Sequence, residues 1–557
     1  MDTEKFIQLL NKAKWFDLTQ ALSIFTPPYP GEMPLQIQFF KRLTGSYIGG
    51  QGANGQLIEW SNNTGTHLVG PRAFHSGARA IADIPLGDLC GEGVVVDISD
   101  AVSDYSLYTP EMIEARVTVK PGDILIINTG YHKYGWDQPD VRNPAAQGGV
   151  ENKEFGYYLR HPGPAPEFFQ WALDKKLKLI GVDCGSAEHP MNTNLRYMHA
   201  REFEKAEAKL RQTHGKTWDE IFPPEQYHHL THVVMPKSGL LLAESLGGQI
   251  DELRNQRAWI MVHPIPYMEV ESAWSRVSAI QPPDGTSEAD FFALMRSAQT
   301  FDMSVPFSVQ TPQWANYIPL SVNYTKRVGG QYFGLGRNNA HCRASFHLAT
   351  HMDGERHFYV SGRTIGQMPF EHWFGPGVIA DISALVSDSS VYSPEMIEKV
   401  VDVREGDILI VKTGYYKYGW NSPDSDEFRY MIKHPGPSPD FAEWCLKKKI
   451  KWLGVDCVAM EHPMNTIQRN WHPRTFAEAN RKLKEAYGKD WDEMYPLDKY
   501  YQDMHLNLFP NGVIHAENLG RDIALMESGR YFIGCFIQKG MELESCWARF
   551  VAFRESA

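Results

Sequence analysis

Two kinds of apolar pattern alternate along the chain. Short unbroken runs that begin at a glycine, Gly93-Val-Val-Val-Asp-Ile-Ser99 and Gly377-Val-Ile-Ala-Asp-Ile-Ser383, predict buried strands. A strand covered on both faces has no need of polar alternation. Gly-Asp-Ile-Leu-Ile, at 122–126 and again at 406–410, predicts a turn feeding a further strand. Stretches with helical spacing predict amphipathic helices from Phe168 to Leu177, Phe441 to Lys449, Phe203 to Leu210 and Phe476 to Tyr487. The first two precede apolar runs that end in Gly-Val-Asp-Cys. Pro-Glu-Met-Ile-Glu, at 110–114 and 394–398, predicts a short helix capped by Thr109 or Ser393. Strands and helices mixed in this way predict an α/β fold.

Every pattern in that account occurs twice. Thr129-Gly-Tyr recurs as Thr413-Gly-Tyr, an offset of 284 (413 − 129), and Asp97-Ile-Ser recurs at Asp381 with the same offset. His161-Pro-Gly-Pro recurs at His434, and Glu188-His-Pro-Met-Asn-Thr at Glu461, both at 273 (434 − 161). The drop of 11 predicts an insertion in the first copy, placed at Gln138 to Asn152. The repeat divides the chain into a first domain, 1–280, a turn-rich linker, 281–299, and a second domain, 300–557. A short helical pattern, Ala289 to Ala298, lies in the linker.

Composition narrows the class. A chain of 557 residues exceeds one ordinary core. Net charge is −12 and no basic run is present, which argues against a nucleic-acid partner. The start lacks the apolar core of a signal peptide, and no stretch of about 20 apolar residues predicts a membrane span. Seven cysteines without a CxxC pair fit a reducing compartment rather than a disulfide framework. A cytoplasmic protein acting on a small molecule is the expectation, with further homo-oligomerisation left open. No dinucleotide fingerprint, P-loop or Gly-x-Ser-x-Gly nucleophile motif occurs.

The candidate chemistry lies in the second copy. His347-Leu-Ala-Thr-His351-Met-Asp353-Gly354-Glu-Arg-His357 places three imidazoles and a carboxylate within eleven residues. On an extended chain all four share parity and point one way. A strand, or a strand and a turn, would aim them into one space, with Gly354 allowing a bend. Imidazole nitrogen and carboxylate oxygen are ligands of zinc, manganese or iron(II).

This run resembles the signature of the cyclase superfamily of metal-dependent hydrolases, His-x-Gly-Thr-His-x-Asp-x-Pro-x-His. Ala349 stands for its glycine and Glu355 for its proline, while His347, Thr350, His351, Asp353 and His357 match. The resemblance implies tandem swivelling β/β/α domains that pair as a pseudo-dimer. It also implies that His505 and Glu517, twelve residues apart, complete a second metal position, with Asp353 bridging. The metal set is then His347, His351, Asp353, His505 and Glu517, holding one or two Zn²⁺ or Mn²⁺ ions. His515 is assigned no part.

The first copy departs from this pattern. Asn63 stands where His347 should have its counterpart, Val69 replaces Asp353 and Ala73 replaces His357, whereas His67 is kept. That half is expected to be catalytically dead. Its surviving His232 and Glu244 are read as a structural pair, and the same reading applies to Glu188-His189 and Glu461-His462. Tyr415, Tyr416, Tyr418 and Trp420 could wall an apolar pocket.

The expected activity is a metal-dependent hydrolase that cleaves an amide, cyclic amide or lactone with metal-activated water, His357 serving as general base and then acid. The alternatives are a metal-dependent lyase and a non-catalytic binding protein. The dead half is expected to pack on the live one and lend residues to its pocket.

Overall fold

The structure is a computed structural model that describes residues 3–43, 52–138, 156–329 and 336–555. Apart from Gln138, the segment assigned to the insertion lies outside the described residues. In the first copy, strands Gln256–Pro264, Cys90–Asp97, Ile124–Asn128, Leu179–Val182, Leu241–Glu244, His67–Val69 and Ser272–Gln281 are hydrogen-bonded in that order, and the last pairs again with the first. In the second copy Gly529–Ile537, Phe374–Asp381, Ile408–Lys412, Trp452–Val455, Ile514–Glu517, His351–Asp353 and Ser545–Arg554 close in the same way. Each copy is therefore a closed seven-strand barrel with helices outside it, and the α/β expectation holds. The glycine-bounded runs are the parallel strands of the two barrels.

The predicted helices form at Pro166–Asp174, Ala200–His214, Phe441–Lys447 and Pro473–Tyr487. Thr109 caps its helix by accepting from the Met112 N–H; Ser393 takes the same N-cap position on Pro394–Val400, but its side chain makes no such bond. The helical pattern in the linker is the helix Glu288–Ser297. No helix among the described residues is long and apolar enough to cross a membrane.

The copies are joined through a shared sheet. Strand Gly55–Ser61 pairs antiparallel with Asn339–Ser345, and Glu59 faces Arg343, its own counterpart at the 284 offset (343 − 284 = 59). A pseudo-twofold axis therefore passes through this pair. Around it the apolar core runs across both barrels: the Trp60 ring lies 5.4 Å from Trp274 and 5.2 Å from Trp547. Two buried arginines repeat the symmetry. Arg276 binds Asp17 and donates to the Ile537 carbonyl of the other copy, and Arg549 binds Asp302 and donates to the Pro264 carbonyl. The helix Thr3–Lys12 packs on strands Phe374–Asp381 and Gly529–Ile537 of the second barrel, so the first half covers part of the second.

Candidate metal centre

The segment from His347 to His357 reaches one point by three local conformations. His351 and Asp353 lie on a barrel strand and share a face, as their parity predicts. His347 arrives from the preceding loop, where Ala349 takes a left-handed backbone, φ 53°. The counterpart is Gly65, φ 71°, so the alanine costs roughly 1–2 kcal/mol that the glycine avoids. His357 comes from a helical turn, Glu355–Phe358. Gly354 does not supply a bend; its φ of −91° is open to any residue. Its need is space, because a Cβ there would lie 2.5 Å from the Glu544 carbonyl oxygen.

Asp353 is the hub. Its Oδ1 lies 3.0 Å from His347 Nδ1 and 3.3 Å from His351 Nε2. Its Oδ2 lies 3.8 Å from His505 Nε2, 4.0 Å from His357 Nε2 and 4.0 Å from His515 Nδ1. Glu517 closes one side, 3.4 Å from His515 Nδ1 and 3.8 Å from His351 Nε2. All the residues predicted for the site therefore converge. So does His515, which the sequence reading leaves out. It sits on strand Ile514–Glu517 two residues from Glu517, where the pleat turns both side chains to one face. Glu544 was also missed: it lies 3.2 Å from His347 Nε2 and 3.1 Å from His357 Nδ1.

Two donor sets share Asp353: His347 and His351 complete one, and His505, His515 and Glu517 the other, with the donor atoms of each set within 4.8 Å of one another. Backbone carbonyls fix two of the imidazoles. His351 Nδ1 donates to the Ala349 carbonyl at 2.9 Å, leaving the Nε2 lone pair toward Asp353. His357 Nδ1 donates to the carbonyl of Asn54, a residue of the first copy, at 2.6 Å. Asn54 also donates through its backbone N–H to the His357 carbonyl at 2.8 Å and through Nδ2 to the Arg356 carbonyl at 2.6 Å. Glu461 stands behind His505, 3.5 Å from its Nδ1, and accepts from the Met504 N–H.

Burial opposes every charge in this cluster, and neighbours decide which charges survive. For Asp353 the imidazoles of His347, His357 and His351 outweigh burial and hold its carboxyl well below the usual range. For His347 the Asp353 and Glu544 carboxylates do the same and raise it to about 10. Glu544 falls to about 2, because His347 and His357 overcome its burial. Burial lowers His515 to about 3 and takes His505 well below its ordinary value. Both rings are therefore neutral with lone pairs available. His351 Nε2, His505 Nδ1 and both ring nitrogens of His515 are buried without a hydrogen-bond partner. Orphaned groups of this kind cost about 1–3 kcal/mol each. Two of them, His351 Nε2 and His515 Nδ1, lie beside the shared Asp353 carboxylate, where they fit a divalent cation.

A cavity of about 210 Å³ opens over the cluster, with Trp314, Tyr317, Phe358, Ile467, Trp471 and Tyr501 in its walls and Lys41 and Ala53 contributed by the first copy. The aromatic group after Thr413 does not line it. Tyr415 donates to Asp388, and Tyr416 and Trp420 border a separate cavity of about 20 Å³.

The corresponding place in the first barrel is closed to about 20 Å³. Asn63, Val69 and Ala73 face it, and His232 Nε2 donates to Glu244 Oε1 at 2.9 Å. Arg337, from the second copy, enters this space, with Nη2 2.6 Å from Glu32 Oε1 and its guanidinium 4.7 Å over the Tyr29 ring. A fixed guanidinium of the chain thus brings the positive charge to this side.

A family model described as "Putative cyclase" matches residues 16–189 and 301–462, more than half of the chain and one segment in each copy. Among curated proteins, kynurenine formamidase of Bacillus cytotoxicus is 22% identical over 188 residues, which are 33% of this chain and 79% of that protein. The kynurenine formamidase of Bacillus mycoides is 24% identical over the same shares. Among solved structures, isatin hydrolase A from Labrenzia aggregata bound to benzyl benzoate aligns with a TM-score of 0.36 at 16% identity, covering 47% of this chain and 96% of that one. Isatin hydrolase A from Ralstonia solanacearum aligns with a TM-score of 0.37 at 15% identity, covering 49% and 99%.

Proposed function

The chain belongs to the cyclase family, and from that premise we propose that it is a metal-dependent hydrolase of an amide, cyclic amide or lactone, with its working centre in the second copy. The observation that carries this reading is the buried Asp353, shared by two sets of donor groups, with His351 Nε2 and His515 Nδ1 buried beside it without a hydrogen-bond partner. The formamidase names of the curated relatives favour a carbon–nitrogen bond.

His347, His351 and Asp353 would hold one cation, Zn²⁺ or Mn²⁺, and His505, His515 and Glu517 would complete a second position. A bound divalent cation supplies an activated water and a polarised carbonyl. The chain's own part begins with His357. The Asn54 carbonyl holds the proton on Nδ1, so Nε2 is the free base that takes a proton from water and returns it to the leaving group. Glu544, 3.1 Å from His357 Nδ1, favours the imidazolium formed between those transfers. The aromatic walls exclude water and orient the apolar part of a substrate.

Elemental mass spectrometry on protein purified without chelator, paired with turnover of an N-formyl arylamine, tests the reading. One or two metal equivalents, lost together with turnover in Asp353→Ala, are expected. No bound metal in the wild type after loading with zinc or manganese would overturn it.

A further inference from the structure

The degenerate copy places a cation over the live centre. Lys41 ends strand Gln36–Lys41 opposite Gly55, at a bulge, and its ammonium borders the 210 Å³ cavity. Its Nζ rests 3.8 Å over the Tyr317 ring, which in turn packs on His347 with ring centroids 4.6 Å apart. No carboxylate among the described residues forms an ion pair with it.

The pseudo-symmetric counterpart shows what is missing. Lys326 occupies the same place in the joining sheet, at the matching bulge opposite Asn339. Its Nζ lies 3.8 Å from Glu32, a carboxylate the same distance away as the aromatic ring that serves Lys41. Glu32 and Tyr317 are themselves counterparts, three residues before Leu35 and Leu320 in the matching segments. Lys326 thus has a carboxylate within 4 Å, shared with Arg337, beside a closed site, whereas Lys41 has no ion-paired carboxylate among the described residues and faces an open one. A cation on an aromatic face keeps its charge available to a further partner. Burial lowers Lys41 to about 8, with Glu544 pulling the other way, so the ammonium stays largely protonated at neutral pH.

We propose that Lys41 binds an anionic group of the substrate, and that the substrate class is therefore a carboxylate-bearing amide or lactone. This rests on the hydrolase reading for the reacting bond and on the Lys41 and Lys326 pair for the anion. The carboxylate takes at Lys41 the part that Glu32 takes at Lys326. The working site is then composite, with metal and base from the second copy and anion recognition from the first. This gives the degenerate copy a reason to persist.

Calorimetric titration of the metal-loaded full chain with anthranilate and with anthranilamide tests the proposal without requiring turnover. The wild type should bind the acid about tenfold more tightly than the amide, the ratio one half-buried ion pair gives. Lys41→Met and Lys41→Gln should abolish that ratio, and Lys41→Arg should keep it. A wild type without preference, or a preference that survives in a folded Lys41→Met or Lys41→Gln chain, overturns it. A wild type that shows the preference and hydrolyses no amide leaves the anion site standing and removes the hydrolase reading.

Discussion

Asp353 faces His515 across the ladder between two strands of the second barrel, and at the same point of the first barrel Val69 faces Leu242. Both members of the polar pair are apolar in the degenerate copy. Changing one alone would bury an unpaired group, whereas changing both is nearly neutral. The paired replacement implies that His515 and Asp353 work as a unit. His515→Leu in the second copy should therefore weaken metal binding by at least about 10–100-fold, since losing a proposed ligand should cost no less than losing a ligand's partner. Competition with a chelator measures this, and wild-type affinity in the variant would remove His515 from the centre.

His357 has a different task, and a different loss is expected. His357→Ala removes the base whose Nδ1 proton Asn54 holds. Turnover should fall by about 10²–10⁴-fold, while metal equivalents per chain stay at the wild-type number. Equal loss of metal would make His357 a ligand. In the same assay the product should gain the mass of water; a product without it would place the chemistry with lyases.

The parts of this site legible in the sequence are those set by local parity and by the repeat. His351 and Asp353 share a strand face because they are two residues apart, and the first copy's Asn63, Val69 and Ala73 mark which half has lost its donors. His515 was legible by the same two signals, its even spacing from Glu517 and its apolar counterpart Leu242. Both residues lie on the strand Ile514–Glu517, whose pleat turns them to one face. Glu544 gave no such signal. It arrives from a distant strand edge, and its counterpart Glu271 survives in the degenerate copy, so comparing the halves does not expose it. Lys41 and Asn54 were out of reach for another reason. They join the site through the pairing of Gly55–Ser61 with Asn339–Ser345, a contact between copies that no spacing within one copy encodes.

Glu271 and Glu544 are counterparts whose carboxyls are displaced in opposite directions. Glu544 has two imidazoles beside it. Glu271 has no imidazole beside it among the described residues and accepts backbone N–H groups, Ala340's among them, and burial raises it from 4.5 to about 8. A carboxyl with a higher pKa folded than unfolded binds more protons in the folded state across that interval. Stability therefore falls as pH rises from about 4.5 to about 8, and levels off above it. Glu271→Gln carries no such penalty. Its melting temperature should rise relative to wild type between pH 5 and pH 9, and a difference that does not change with pH would show that Glu271 is not held protonated.

The halves should not function apart. A chain of residues 300–557 alone would expose the edge of strand Asn339–Ser345, which Gly55–Ser61 covers in the full protein, and a bare apolar edge invites aggregation. It would uncover Trp547 and Phe536, which pack on Trp60 and His263 of the first copy. It would lose the helix Thr3–Lys12 from the outside of its barrel, the Asn54 carbonyl from His357 and Lys41 from the cavity. Expressed alone, this fragment should be insoluble or inactive. Co-expressed with residues 1–299, which keep both Thr3–Lys12 and the helix Glu288–Ser297, it should recover turnover as a two-chain complex. Metal content of the fragment separates the contributions, because every proposed ligand lies within 300–557. A soluble fragment that binds metal at wild-type stoichiometry but does not turn over substrate would assign the defect to the groups lent by the first copy. A soluble fragment with wild-type turnover would show that the second barrel needs nothing from its degenerate twin.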